Sequence, residues 1–132
     1  MDFIVIGAVA GGAHGSSYGT FDVDVAFRDD PVNLSRLSAV LSEIGPDQPP
    51  EAPAFSSQTS LGRLKGFAAP DGAPSYDALR KGAWPIEVGQ SIVRIASLDH
   101  LIAMKEACPR TRDKVLAMEY RTISDMLRAP RN

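Results

Sequence analysis

Asp22 and Asp24 are two residues apart in the run Phe21-Asp22-Val23-Asp24-Val25-Ala26-Phe27, where apolar side chains alternate with acidic or small ones. That period is a β-strand's, so both carboxylates project from one face. Two adjacent carboxylates are hard oxygen ligands. They suit Mg²⁺ or Mn²⁺, which retain waters and take their remaining ligands from substrate phosphates. Upstream, Phe3-Ile4-Val5-Ile6 is a short buried strand that ends at Gly7-Ala8 and enters a helix, presenting backbone N–H groups to an anionic phosphate. Thirteen residues separate Ala8 from Asp22. Ser16, beside Gly15, suits a phosphate loop, and a flexible turn explains it equally well. Together these parts describe a phosphate-and-metal cradle.

The elements that must hold the cradle follow from hydrophobic period and caps. Residues 8–15 predict a short helix packed closely on the sheet, although Gly11 and Gly12 weaken it. Asp30-Pro31 opens a helix whose Leu34, Leu37, Val40, Leu41 and Ile44 recur at helical spacing until Gly45. Four prolines make 46–54 an extended connector. Segments 55–59 and 63–68 read as an antiparallel pair, and Ser75 caps a helix running through Lys81. Trp84–Val88 and Ile92–Ile95 form a hairpin. Ser97 caps a helix to about Ala107, Pro109 interrupts, and a last helix spans 112–128 with Leu116, Tyr120, Ile123 and Leu127 inward. Trp84 and Phe67 are assigned to the core. The sum is an α/β (α+β) domain over residues 1–132, a small mixed twisted sheet flanked by helices with a helical C-terminus. A strand starting at residue 3 predicts that a preceding N-terminal helix is missing, and an apolar patch beside Phe3 to Ile6 would then mark a partner-docking surface.

Composition excludes several classes. With 132 residues, 44% hydrophobic and 23% charged, the chain has the make-up of an ordinary globular domain. Its one cysteine, Cys108, forms no internal disulfide and reads as a small buried hydrophobe, and no Cys/His spacing suggests zinc. No apolar run approaches the roughly 18 residues of a membrane span, and a cytoplasmic location is the simplest reading. The formal charge of −2 argues against nonspecific nucleic-acid binding. Charge is uneven, however: residues 1–100 carry seven basic and twelve acidic side chains, and 101–132 carry seven and four. The C-terminal helices are therefore locally positive. His14 reads as a packing or hydrogen-bonding residue, and His100 as a first-turn helix residue.

The pair Ile6-Gly7-Ala8 and Asp22-Val23-Asp24-Val25 resembles the signature of the polymerase-β-type nucleotidyltransferase superfamily, with the intervening gap at the long end of its range. More narrowly, Val5-Ile6-Gly7-Ala8-Val9-Ala10, His14-Gly15, Thr20 and Asp22-Val23-Asp24 are similar to abortive-infection nucleotidyltransferases, the toxins of type IV toxin–antitoxin systems. Leu61-Gly62-Arg63-Leu64, Val93-Arg94-Ile95-Ala96-Ser97-Leu98, Leu101-Ile102-Ala103-Met104-Lys105 and Arg112-Asp113 continue the likeness over nearly the whole chain. The resemblance implies a nucleotidyltransferase fold and transfer of a nucleoside monophosphate from a nucleoside triphosphate to a hydroxyl, an RNA (tRNA) 3′ end being one candidate acceptor. Asp22 and Asp24 would hold the metal, Lys105 would neutralise triphosphate charge, Asp113 would complete the site, and Arg110 and Arg112 would assist. An antitoxin protein is the implied partner.

Three positions depart from that pattern. Ala8 replaces Gly or Ser but keeps its backbone N–H, and Tyr18 stands where arginine is frequent. Lys65, in Gly62-Arg63-Leu64-Lys65, stands where a third carboxylate is implied. Paired with Asp22 or Asp24, its ammonium would occupy the metal's space and leave a catalytically degenerate nucleotide- or partner-binding domain. Turned outward, it would leave Asp71 or Glu87 to supply the missing oxygen. The distance from Lys65 Nζ to the two aspartates separates these alternatives.

Overall fold

The computed structural model describes residues 1–20 and 22–128. In chain order the elements are β1 (Phe3–Ile6), α1 (Gly7–Ala13), β2 (Asp22–Phe27), α2 (Pro31–Leu41), a 3₁₀ turn (Ser42–Ile44), β3 (Ala54–Thr59), β4 (Gly62–Phe67), α3 (Tyr76–Gly82), β5 (Trp84–Val88), β6 (Ser91–Ile95), α4 (Leu98–Glu106) and α5 (Thr111–Arg128). The fold is mixed α/β, with one six-stranded mixed sheet ordered β3-β4-β2-β1-β6-β5.

The sequence explains most boundaries. Asp30 Oδ1 accepts from the Asn33 N–H at 2.7 Å with Pro31 in the first turn, so α2 begins where both residues favour a start. Ser75 and Ser97 cap α3 and α4 in the same way, each accepting a backbone N–H at 3.2 Å. Gly45 ends the 3₁₀ turn in the left-handed conformation, φ +63°.

The short, apolar β1 lies inside the sheet, antiparallel to β2 and parallel to β6, and buries Ile4, Val5 and Ile6. These residues pack with Leu79, Leu101, Met104, Leu116 and Tyr120 in the main core. Ile4, Val5 and Ile6 are thus core and form no exposed apolar patch. A smaller cluster seats Leu37 and Leu41 of α2 on Phe27 and Phe55, whose rings lie 5.8 Å apart.

Four expectations are corrected. Trp84 is 49% exposed, because β5 is an edge strand and its indole lies edge-on against His14 at 4.4 Å instead of entering the core. Leu127 is exposed near the end of α5, although the next residue, Arg128, pairs with Asp99 of α4. Val23 and Val40 are exposed as well, and β2 buries the consecutive residues Val25, Ala26 and Phe27, so its second half is covered on both faces and not on one. The first helix begins at Gly7, directly from β1, and ends at Ala13. Phe21, assigned to the second strand, lies outside the described residues.

Tyr120 explains the glycine in α1. Its ring is fully buried and packs so closely on Gly11 that a Cβ there would overlap the phenol oxygen. The weak helix former thus permits a close contact between α1 and α5.

Candidate functional site

The β1–α1 junction and the start of β2 meet as the spacing predicts. Ile6 pairs with Asp24 across the antiparallel β1–β2 ladder, which sets the Asp24 carboxylate under Gly7. Gly7 has φ +68°, and a Cβ at that position would fall 2.6 Å from Asp24 Oδ2. Glycine is required twice over here, for its backbone conformation and for the space the carboxylate occupies. Asp22 and Asp24 are both half-buried on the strand, and exposed Val23 separates them.

Beside this junction lies a cleft of about 260 Å³ lined by Gly7, Asp24, Phe67, Asp71, Lys105 and Arg110, among others. Asp24 enters it with an unusual environment. Its Oδ1 is buried without a hydrogen-bond partner among the described residues. Burial raises its pKa above the ordinary 3.8, and the positive charges of Lys65 and Lys105 offset only part of that rise.

The opposite wall comes from α4 and the α4–α5 turn. Asp113 is fully buried at the start of α5; Lys105 Nζ donates to its Oδ1 at 3.0 Å and Arg110 Nε to its Oδ2 at 2.7 Å. Burial alone would raise the Asp113 pKa, but the two hydrogen bonds and their charges outweigh it and hold the carboxyl below its ordinary value. One carboxylate against two cations leaves this trio net positive; both cations line the cleft, where the acidic Asp24 and Asp71 face them.

Lys65 resolves the alternative posed by the sequence. Parallel pairing of β2 and β4 sets Lys65 opposite Asp24, and its Nζ lies 3.6 Å from Asp22 Oδ2. The lysine therefore turns toward the acidic pair. Of the substitute carboxylates, Asp71 lines the cleft. Glu87 is on β5, at the far edge of the sheet from β4. Among the described residues no group of three or more His, Cys, Asp or Glu side chains is arranged to hold a metal ion. With the Lys65 ammonium 3.6 Å from one Asp22 oxygen, the two carboxylates are open to a shared divalent ion only if that lysine is displaced.

The remaining predicted residues fall elsewhere. Ala8 follows Gly7 into α1 and does not line the cleft. Ser16 donates its hydroxyl to Glu119 of α5 and also lies away from the cleft. Arg112 faces a different groove, with its guanidinium 5.8 Å from the centre of the Tyr18 ring. His14 is buried and hydrogen-bonded through Nε2 to the Ala96 carbonyl at 2.8 Å, a packing role. Cys108 is half-buried, with Sγ 3.4 Å from the Met104 carbonyl, and lines the cleft instead of the core. Sequence reasoning did not anticipate Phe67 as a cleft wall, and only its place at the end of β4, beside β2, could have signalled it.

Among the described residues no helix is long and apolar enough to cross a membrane. Neither a protein-family model nor a curated protein matches the sequence.

Proposed function

We propose that this cleft is a nucleotide-binding site of the nucleotidyltransferase type in which the phosphates are received by side-chain cations, without nucleotidyl transfer. The observation that carries the reading is the 3.6 Å contact between Lys65 and Asp22, in the position where a third carboxylate would complete a metal site. Lys105 and Arg110 face the phosphates from the opposite wall. Ammonium and guanidinium groups are suited to phosphate oxygens and need no metal to be charged. Gly7 keeps the backbone close to the ligand. The nucleotidyltransferase fold is part of the same proposal, supported by the resemblance of the Ile6-Gly7-Ala8 and Asp22-Val23-Asp24-Val25 segments and by a six-stranded mixed sheet with acidic β2 near its centre.

A second reading is favoured by one specific observation, the unpartnered Oδ1 of Asp24. An acceptor atom left without a partner at a cleft wall is a liability unless a ligand meets it. In this reading the protein is a Mg²⁺- or Mn²⁺-dependent nucleotidyltransferase acting on a hydroxyl such as an RNA 3′ end. The cation would displace Lys65 from Asp22. An antitoxin-like protein partner belongs to this reading and rests on the resemblance alone.

Calorimetric titration with ATP and GTP, in chelator and again in Mg²⁺ or Mn²⁺, separates the two, combined with a label-transfer assay on total tRNA. Chelator-insensitive binding that weakens in Lys105→Ala, with no transfer, is the outcome of the first reading. Metal-dependent transfer abolished by Asp24→Ala establishes the second. No nucleotide binding under either condition removes both.

A further inference from the structure

The groove on the other side of residues 110–112 has a chemistry of its own. Its volume is about 490 Å³, within the range of roughly 300–1,000 Å³ common for small-molecule sites. The α1–β2 loop contributes Ser17 and Tyr18, and the first turns of α5 contribute Arg112, Val115 and Glu119. Tyr18 is 38% exposed, a large aromatic ring left open at a concave surface. Arg112 stands over that ring, and Val115 adds a half-exposed apolar wall. A planar ligand can stack against such a surface with its polar edge free, as nucleobases do on aromatic and guanidinium faces.

Glu119 decides which planar ligand fits. Its Oε1 accepts the Ser16 hydroxyl, and its Oε2 accepts the Ser17 hydroxyl at 3.2 Å. The carboxylate is thereby fixed in orientation, and with about four lone-pair sites in all, each oxygen retains capacity for one further donor. Two parallel acceptors require two parallel N–H donors. Among neutral nucleobases guanine alone presents them, at N1–H and the exocyclic N2–H. The corresponding edges of adenine, cytosine and uracil set a carbonyl or ring-nitrogen acceptor beside each donor, which the carboxylate repels.

The geometry points to this groove as a guanine-binding subsite, with Tyr18 and Arg112 as the stacking surface and Glu119 as the edge reader. It does not depend on what the neighbouring cleft holds. The same base chemistry can arrive on a free nucleotide or in a single-stranded nucleic acid.

The test is an NMR titration of the ¹⁵N-labelled full chain with guanosine, GMP, AMP and a short guanine-containing single strand. Saturable shifts at Tyr18, Val115 and Glu119 with guanosine and GMP, at least about tenfold weaker with AMP, are the expected result. Tyr18→Leu should weaken GMP binding about tenfold, and Glu119→Gln should erase the preference over AMP, both folds being checked by the unperturbed remainder of the spectrum. Tighter binding of the oligonucleotide than of GMP identifies a single strand as the source, and equal binding identifies the free nucleotide. Shifts confined to Gly7, Asp24 and Lys105, no saturable shifts, or equal affinity for AMP and GMP would overturn the assignment.

Discussion

Lys65 is the cross-strand neighbour of Asp24, yet its ammonium lies 3.6 Å from the carboxylate of Asp22. The side chain reaches diagonally across the β2–β4 pair and so screens both acids at once. It pairs with one and lowers the pKa of the other against the effect of burial. Both partners keep about two fifths of their side-chain surface in water, at 40% and 44%. A pair so exposed contributes only about 0–1 kcal/mol, so its significance is electrostatic occupancy of the site, with little bearing on stability.

Replacing Lys65 by aspartate should therefore create a divalent-cation site. Lys65→Asp removes the competing ammonium and sets a third carboxylate directly opposite Asp24. Calorimetry with Mn²⁺ should show binding in the variant and at least about tenfold weaker binding in the parent chain. Equal Mn²⁺ affinity in both would show that the lysine does not control the site.

Asp24 should be a residue whose charge the fold tolerates at a cost. Its pKa in the folded protein is raised, chiefly by burial, so its favourable contribution is present below the unfolded value of about 3.8 and is lost as pH rises through the raised value. The near-isosteric Asp24→Asn removes that charge. We expect a higher Tm at pH 7 and a gain that shrinks toward zero below pH 3.8, measured by thermal melts across pH. A lower Tm at pH 7 would mean that the Lys65 and Lys105 charges outweigh burial.

Asp113 has the opposite sign. Its pKa is depressed, so its stabilisation is present above the ordinary 3.8 and is lost as pH falls through the lower folded value. Asp113→Asn leaves Lys105 and Arg110 without their shared anion, and breaking a buried pair costs about 3–5 kcal/mol. Because Arg110 is 62% exposed and can turn to water, the lower end, about 3 kcal/mol, is expected in chemical denaturation. The variant should also lose the parent chain's added sensitivity to acid below pH 3.8. A change under about 0.5 kcal/mol, the level of an ordinary surface substitution, would contradict this account.

Most of the scaffold was legible because local chemistry and long-range packing agree. Asp30, Ser75 and Ser97 are caps by residue type and by observed hydrogen bond. The two-residue repeat of Asp22 and Asp24 gives their shared side of the strand without reference to tertiary structure. Other features depend on neighbours that the sequence does not order. Trp84 looks like core until β5 is known to be an edge strand. Lys105, Arg110 and Arg112 are close in sequence, but the α4–α5 turn sends the first two into the cleft and the third to Tyr18. Lys65 could be flagged as a misplaced charge, while its pairing with Asp22 required the β2–β4 register.

Gly11 offers a test of packing independent of the cleft. Alanine is favoured over glycine in a helix by about 1 kcal/mol, so local propensity alone predicts that Gly11→Ala stabilises α1. Against this, the added methyl overlaps the buried hydroxyl of Tyr120, whose pKa is pushed up to about 12, mainly by burial. Overpacking a core contact of this kind costs about 1–3 kcal/mol, which exceeds the helix gain over most of its range. Gly11→Ala should lower stability by about 1 kcal/mol in denaturant melts. The double change Gly11→Ala with Tyr120→Phe removes the nearest clashing atom but leaves ring carbons 2.7 and 2.8 Å from the added Cβ, so it should recover only part of the loss. If the single variant is more stable than the parent chain, α1 does not pack on α5 as tightly as the Gly11–Tyr120 contact requires.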